Sequence, residues 1–366
     1  MGRIPTVLEP QGLYEVDEAG TAALARARAN AGGGGELVLV YHFAGFMDAG
    51  HTAELAMEHL LGERFALTPS SDLADDGADL PPAAAPDEDG SPSGRARHRR
   101  ADPDPVDDIH PVVARFDADR LVDYRAQRPT MTFDSDHWAE YEAPELAVRL
   151  ASDAIGTPFL ILYGPEPDTE WELFAAALVQ LTRELGVSLS VTFHGIPFAV
   201  PHTRPTALIP HGSRPELMAG YPKWFDRAQV PGSAMALAEY RLGQDGQAVL
   251  GLAAQVPHYV SRSQYPAAAV RVLEAVTSAT GLVLPMQELH EQAQLVFTEI
   301  SAQVVQGDDE LRSMIHSLEE QYDSIAGSQS RTNLLAEQAE RLPSADELAR
   351  QFEQFLAEHD RGDSDR

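Results

Sequence analysis

Short apolar runs of strand length recur along the chain and predict the strands of a sheet. The clearest are ELVLVYHF at 36–43 and FLILY at 159–163, which are apolar almost throughout. Strands buried on both faces of a parallel sheet have this continuous pattern. Further strands are expected at 188–193, 207–210 and 252–256, with a short hairpin at 130–133 and 137–141.

Helical segments separate these runs, so that strands and helices alternate. The helix predicted at 171–185 has its stop signal at Gly186. Asp48 is in position to cap the helix that runs to about Leu61. Further helices are expected at 144–155, 233–240 and 265–280. This alternation predicts an α/β fold with a mainly parallel sheet flanked by helices.

From residue 286 onward the pattern changes to apolar seams of helical spacing. The first seam lies at 286–300 and the second at 311–325, and in each the apolar residues are three and four positions apart. Together the two seams predict an appended C-terminal helical hairpin or bundle. A third helix is predicted after Pro343, where Ser344 and Glu347 form a capping box.

The pattern divides the chain into three parts. Residues 1–35 are an N-terminal segment that ends in a glycine linker, 36–285 are the α/β core, and 286–366 are a helical region with disordered last residues. The core is interrupted at about 68–108 by a stretch rich in Pro, Asp, Ser, Gly and Ala. Few large apolar side chains are present there to offset the entropy of ordering, which predicts a disordered acidic insert.

The formal net charge of −30 is concentrated in two of these segments. Residues 71–108 carry −7 and residues 286–366 carry −12, so the charge says little about a binding site in the core. A nucleic-acid partner is not expected, because its phosphates would be repelled. The sequence shows no targeting signal and no apolar run of membrane-spanning length, which predicts a cytoplasmic protein that does not associate with membranes.

Missing residue types restrict the chemistry further. The chain has no cysteine, which excludes disulfides, thiolate nucleophiles and thiolate metal sites. Lys223 is the single lysine, and neither a phosphate-binding Gly-Lys-Ser/Thr loop nor a Gly-x-Ser-x-Gly nucleophile elbow occurs. No catalytic residue set stands out, so a non-enzymatic role is favoured over an enzyme and no cofactor is predicted.

Polar residues gather where the predicted strands end. In an open parallel sheet such loops share one edge, where ligands usually bind, and these side chains would suit an anion or acid–base site. Structural roles compete with this hypothesis, since a carboxylate at these positions can cap a helix or make a turn, and the others can pin a loop or form a subunit contact. The candidates for this site or for an interface are Asp48, Glu166, Asp168, His202, Arg204 and His258.

Four histidines lie at or near the same strand ends. They are His194, His202, His211 and His258. No two of them have the close spacing of a zinc-binding helix such as His-Glu-x-x-His, so no metal site is predicted.

Six short motifs follow one another along the core. They are GFMDAG at 45–50, GPEPD at 164–168, GIP at 195–197, PHTRP at 201–205, PGS at 231–233 and PHY at 257–259. In this order they resemble the proteasome assembly chaperone family, the one named after the second subunit of the eukaryotic pair. The resemblance covers about 36–285, and the C-terminal helical region is similar to that of actinobacterial members.

The resemblance implies a phosphorylase/hydrolase-like α/β sandwich and a role in protein assembly. Such chaperones commonly dock through a C-terminal hydrophobic-Tyr-X tail, whereas this sequence ends in RGDSDR at 361–366, which weighs against docking on proteasome subunits. We therefore expect a non-enzymatic assembly or scaffold protein that forms a homodimer or homotrimer. The alternative is an enzyme or sensor that binds a phosphate- or carboxylate-bearing ligand at the strand ends.

Overall fold

The computed structural model describes residues 10–62 and 109–340, apart from residues 11, 33, 34, 46, 223, 225, 226 and 308 and the side chains of 325–340. The chain divides into two compact units, Met1–Gly307 and Asp308–Arg366. The predicted disordered insert, the helix predicted after Pro343 and the chain end lie outside the described residues.

The first unit contains every described strand and all but one of the described α-helices. In chain order the strands are β1 (Tyr14–Val16), β2 (Val38–Ala44), β3 (Val112–Phe116), β4 (Met131–Asp134), β5 (His137–Tyr141), β6 (Ala147–Ser152), β7 (Pro158–Pro165), β8 (Leu189–Phe198), β9 (Leu208–Gly212) and β10 (Val249–Pro257). Its α-helices are α1 (Glu18–Asn30), α2 (Thr52–Leu61), α3 (Ala118–Leu121), α4 (Trp171–Leu185), α5 (Ala234–Gln244), α6 (Pro266–Thr280) and α7 (Gln287–Gln306). Short 3₁₀ helices lie at Ala49–His51, Pro215–Met218 and His258–Val260. The described part of the second unit is the single helix α8 (Asp309–Glu340).

Eight strands form one mixed sheet in the order β1-β3-β6-β7-β2-β8-β10-β9. The four long central strands, β7, β2, β8 and β10, are parallel to one another. The pairs toward both edges of the sheet are antiparallel. This arrangement confirms the predicted α/β class, with the parallel strands at the centre of the sheet.

Both faces of the sheet are covered by helices. Val38 and Val40 of β2 belong to an apolar cluster with α2, α6 and α7, whereas Leu39 and Tyr41 belong to a second cluster with α1, α4 and α5. Successive side chains of a strand point to opposite faces. The almost continuous apolar run of β2 is therefore what a strand in a three-layer sandwich requires.

The helix predicted at 144–155 is wrong, because these residues contain the strand β6. The strand AVRLAS consists largely of residues that favour a helix locally. It lies between β3 and β7, is antiparallel to both, and has every residue but the last buried. Pairing on both sides and burial outweigh the local preference.

The N-terminal segment contains β1 and α1, neither of which the hydrophobic pattern predicted. Helix α1 carries ARARAN at its end, so small and charged residues alternate without a clear apolar stripe. Its start is fixed by Asp17, whose carboxylate accepts the backbone N–H of Gly20 at 2.7 Å. A Cβ at Gly20 would lie 1.8 Å from the carbonyl oxygen of Val112, so glycine allows α1 to approach β3 closely.

The other predicted elements are confirmed, with boundaries shifted by a few residues. Helix α4 begins and ends as predicted, and β4 and β5 form the predicted hairpin. Helices α7 and α8 correspond to the two apolar seams of the C-terminal region. Along the described part of the chain, no α-helix combines the length and hydrophobicity needed to span a bilayer.

Candidate functional site

Asp48 holds the start of α2 against β8. Its carboxylate accepts the backbone N–H groups of Ala53 at 2.8 Å and Glu54 at 3.0 Å, in the first turn of α2. It also accepts the backbone N–H of Gly195 in β8 at 2.9 Å. Burial raises the pKa of Asp48, and these three hydrogen bonds oppose that effect. The carboxylate thus caps α2, as the sequence suggested, and it also connects the start of α2 to β8 in the sheet.

Glu166 and Asp168 follow β7 but serve two different parts of the fold. An oxygen of Glu166 accepts the backbone N–H of Ala234, the first residue of α5, at 2.7 Å. Asp168 accepts the backbone N–H of Asp123 at 2.7 Å and the side-chain amide of Gln127 at 3.3 Å. Glu166 therefore fixes the start of α5, and Asp168 fixes the loop that follows α3.

His202 is a buried link between three segments. Its backbone N–H donates to the hydroxyl of Tyr259 at 2.7 Å, and its Nδ1 lies 2.8 Å from the same oxygen. Its Nε2 is 3.3 Å from the hydroxyl of Ser301 in α7. The bonds of His202 join its loop to the 3₁₀ helix at His258–Val260 and to α7. His258 itself is exposed, and its carbonyl accepts the hydroxyl of Ser261.

Arg204 lies beside a small cavity of about 190 Å³. The cavity is also lined by His202, Arg271, Glu274 and Phe297. Arg204 donates to the backbone oxygen of Thr203 at 3.4 Å, and Arg271 lies 3.5 Å from the carboxylate of Glu274. Two of the six candidates, His202 and Arg204, are therefore neighbours at this cavity.

A larger cavity of about 460 Å³ opens at the carboxyl edge of the central strands. We call it the edge cavity. Of the six candidates only Glu166 lines it, so the structure does not bring the six together at one site. Residues of four strands, of α5 and of three loops form its wall: His42, Phe43, Met47, Glu166, His194, Ile196, Ile209, His211, Val230, Pro231, Ser233, Met235, Ala236, Glu239, Tyr240 and Ala253.

Two of the histidines in this wall are buried and neutral. His42 in β2 is 3% exposed, and burial lowers its pKa to about 4 against a hydrogen bond to the Phe193 backbone that raises it. Burial lowers the pKa of His194 to about 3, with the neighbouring His211 and His42 acting in the same direction. At neutral pH each ring therefore has one N–H donor and one acceptor nitrogen.

The third histidine is paired with a carboxylate. Nδ1 of His211 lies 2.8 Å from Oε1 of Glu239 on α5. Beneath the ring is Gly251 of β10, where a Cβ would lie 2.0 Å from the imidazole. The absence of a side chain at Gly251 makes room for His211, and the pair with Glu239 fixes the orientation of the ring.

The pattern of the sequence pointed to His194 and His211 but missed His42 and Glu239. His42 lies inside the apolar run of β2, and a single polar residue in a continuous buried strand is a signal that could have singled it out. Glu239 had no such signal, because a carboxylate on an amphipathic helix is usually solvated. Among the described residues, no group of three or more His, Asp or Glu side chains is placed to hold a metal ion.

A second feature is formed by residues that line neither cavity. The β4–β5 hairpin exposes Phe133 and Trp138, whose side chains are 56% and 63% accessible. They face each other across the two strands with ring centroids 5.1 Å apart. Residues 131–141 also carry three carboxylates and neither lysine nor arginine. We call these residues the acidic aromatic hairpin.

Comparison with known proteins finds one matching family and several similar structures. The model of the PAC2 family matches residues 110–304. Mycobacterium tuberculosis Rv2714, of unknown function, is 34% identical with a TM-score of 0.68, over 91% of this chain and 96% of its own. A Corynebacterium glutamicum protein of unknown function is 28% identical with a TM-score of 0.65, over 85% of this chain and 97% of its own.

A further structure is similar in fold at lower identity. The Mycobacterium tuberculosis proteasome-assembly chaperone homologue Rv2125 is 20% identical with a TM-score of 0.58, over 76% of this chain and all (100%) of its own. No curated protein matches the chain.

Proposed function

Because the chain belongs to the PAC2 family, we propose that it is a chaperone-like protein that binds other polypeptides during their assembly and does not act by catalysis. The observation that carries the proposal is the acidic aromatic hairpin. Trp138 and Phe133 expose large aromatic surfaces at one place. Clustered exposed aromatic groups of this kind are typical of protein interaction surfaces.

The chemistry of the hairpin indicates the kind of partner. Asp134, Asp136 and Glu140 lie in the same short hairpin as the two aromatic rings. Apolar area next to a uniform negative charge is complementary to a polypeptide surface that combines apolar pockets with arginine or lysine side chains, and arginine also stacks well on tryptophan. A second copy of this acidic hairpin would be repelled, so the hairpin favours a different polypeptide.

Proteasome subunits are the first partner to test. The support is the family membership, together with the similar fold of the proteasome-assembly chaperone homologue Rv2125. The test is co-elution of the full chain with proteasome subunits of the same organism in size-exclusion chromatography. Co-elution that is lost when Trp138 is changed to Ser supports the proposal, and independent elution of the unaltered chain contradicts it.

Self-association as a homodimer or homotrimer is part of the same proposal. Support comes from α7, on which Leu295 and Val305 are 64% and 73% exposed. Exposed aliphatic groups on a helix are typical of homo-oligomer interfaces. Sedimentation velocity over a range of concentrations tests this part. We expect a dimer or trimer that Leu295→Asp weakens, and a monomer at every concentration would refute it.

A second candidate function is the binding of a small ligand at the carboxyl edge of the sheet. The observation that favours it is the edge cavity, whose volume of about 460 Å³ is in the range of ligand sites and which lies where open α/β sheets usually bind ligands. A thermal-shift screen with small molecules tests whether any ligand stabilises the folded chain.

A further inference from the structure

The edge cavity has a wall whose chemistry restricts what it can bind. From this wall we infer that the cavity binds an uncharged, largely apolar molecule with a flat ring and a hydrogen-bond donor, and not a phosphate or carboxylate. The inference rests on the second candidate function, ligand binding at the sheet edge, and names the class of ligand.

Most of the wall is apolar. Phe43, Ile196, Ile209, Val230 and Met235 contribute to it, from β2, β8, β9, the loop before α5 and α5 itself. Such a surface gains free energy when an apolar body displaces water, and it offers nothing to a hydrated ion. A ring system of moderate size fits a volume of about 460 Å³.

The charges of the wall exclude an anion. No lysine or arginine is among the described residues that line the cavity, and the acidic side chains there are Glu166 and Glu239. Because the pKa values of His42 and His194 are lowered to about 4 and about 3, neither imidazole supplies a positive charge at neutral pH. An anionic ligand would lose its hydration beside two carboxylates, in a wall whose described residues include no lysine or arginine.

A cation is also disfavoured, since both carboxylates already have partners. Glu166 accepts the backbone N–H of Ala234 at 2.7 Å, and Glu239 lies 2.8 Å from Nδ1 of His211. A cationic ligand would have to compete for these oxygens. An uncharged ligand leaves both contacts intact.

The histidines supply the polar contacts that would orient such a ligand. Nδ1 of His211 already lies against Glu239, so Nε2 is the nitrogen of this ring that is left to a ligand. The neutral ring of His194, centred 6.4 Å from the ring of His211, adds one donor and one acceptor nitrogen to the same region. A ring N–H or a phenolic O–H is the complementary group on the ligand.

Three indoles of similar size test the inference: 3-ethylindole, which is uncharged, indole-3-acetate, which is an anion, and tryptamine, which is a cation. Their dissociation constants for the full chain are measured at pH 7.5 by titration with NMR detection. We expect 3-ethylindole to bind at least ten-fold more tightly than either charged analogue.

Two tryptophan variants locate the binding. Ala236 is exposed on α5 at the cavity wall, whereas Ala25 is exposed on α1, which contributes no residue to that wall. Ala236→Trp should weaken 3-ethylindole binding at least ten-fold by filling the cavity. The matched variant Ala25→Trp should leave the binding unchanged.

The outcomes separate the class of ligand from the ligand-binding function itself. If a charged indole binds as tightly as 3-ethylindole and Ala236→Trp abolishes that binding, the cavity is a ligand site but the inferred class is wrong. If Ala236→Trp leaves 3-ethylindole binding unchanged, the edge cavity is not the site. If none of the three indoles binds, both the inference and the second candidate function are contradicted.

Discussion

The carboxylate of Asp48 lies 2.9 Å from the backbone nitrogen of Gly195, 147 positions further along the chain. This contact joins two of the six motifs, GFMDAG and GIP. The other motifs meet in the same way. Glu166 of GPEPD accepts the N–H of Ala234, directly after PGS, and His202 of PHTRP bonds with Tyr259 of PHY. The six motifs therefore contact one another in three pairs, and these contacts hold the loops at the carboxyl edge of the sheet together.

The first prediction concerns Asp48. Asp48→Ala should lower the free energy of unfolding by about 3 kcal/mol, because it removes a helix cap and leaves three backbone N–H groups without their acceptor. Chemical denaturation measures the loss. The matched control is Asp136→Ala, which alters an exposed aspartate of the hairpin and should have little effect. If both variants lose the same unfolding free energy, the hydrogen bonds of Asp48 do not stabilise the fold.

The second prediction concerns Gly195, the partner of Asp48. A Cβ at this position would lie 1.9 Å from the carbonyl oxygen of Ala49 and 2.5 Å from the hydroxyl of Thr52. Because a backbone oxygen cannot move away cheaply, Gly195→Ala should cost at least about 2 kcal/mol of unfolding free energy. At Gly232, by contrast, a Cβ would meet no atom within 4 Å. Gly232→Ala should therefore change the unfolding free energy by less than about 0.5 kcal/mol, and a Gly195→Ala variant as stable as Gly232→Ala would refute the prediction.

The third prediction concerns pH. Burial lowers the pKa of His42 to about 4 and that of His194 to about 3, from an ordinary value of 6.5. Between about pH 6.5 and 4 the unfolded chain therefore takes up protons that the folded chain does not bind. The unfolding free energy falls as the pH falls through this window, by roughly 1 kcal/mol per pH unit for each histidine.

Variants isolate this contribution from that of the many carboxylates. His42→Gln and His194→Asn should each show a shallower fall of unfolding free energy between pH 6 and 4.5 than the unaltered chain. Denaturant titrations at several pH values give these slopes. Identical slopes in the unaltered chain and both variants would mean that the two rings are protonated in the folded state.

The fourth prediction concerns the acidic aromatic hairpin. Trp138→Ser should leave the thermal midpoint within about 1 °C, because the side chain is largely exposed and its removal costs little burial. Ile155→Ser is the matched control, since Ile155 is also an exposed apolar residue. Differential scanning calorimetry compares the variants. A large fall in the midpoint for Trp138→Ser alone would show that the tryptophan serves the fold and not a partner.

The sequence allowed most of the fold to be predicted, because burial on two faces leaves a strong pattern. The run of β2 and the glycine stop after α4 are examples. Strand β6 was missed because its helix-favouring residues are overridden by pairing with β3 and β7. Helix α1 was missed because alanine and arginine alternate without an apolar stripe.

The candidate site was harder to predict than the fold. The strand-end rule indicated the carboxyl edge of the sheet, but of the carboxylates named there Asp48 and Glu166 hold the starts of helices and Asp168 holds a loop. The wall of the edge cavity comes instead from His42 inside a buried strand and from Glu239 on a helix, which meet only through the order of the strands. Residues this far apart in the sequence leave no spacing pattern that would have indicated their proximity.

The most direct test of the proposed chaperone-like role is native mass spectrometry of the full chain mixed with proteasome subunits from the same organism. We expect a complex of defined stoichiometry that forms with the unaltered chain and with Ile155→Ser but is lost with Trp138→Ser. If the unaltered chain gives no complex with these subunits and remains a monomer, the assembly role is contradicted.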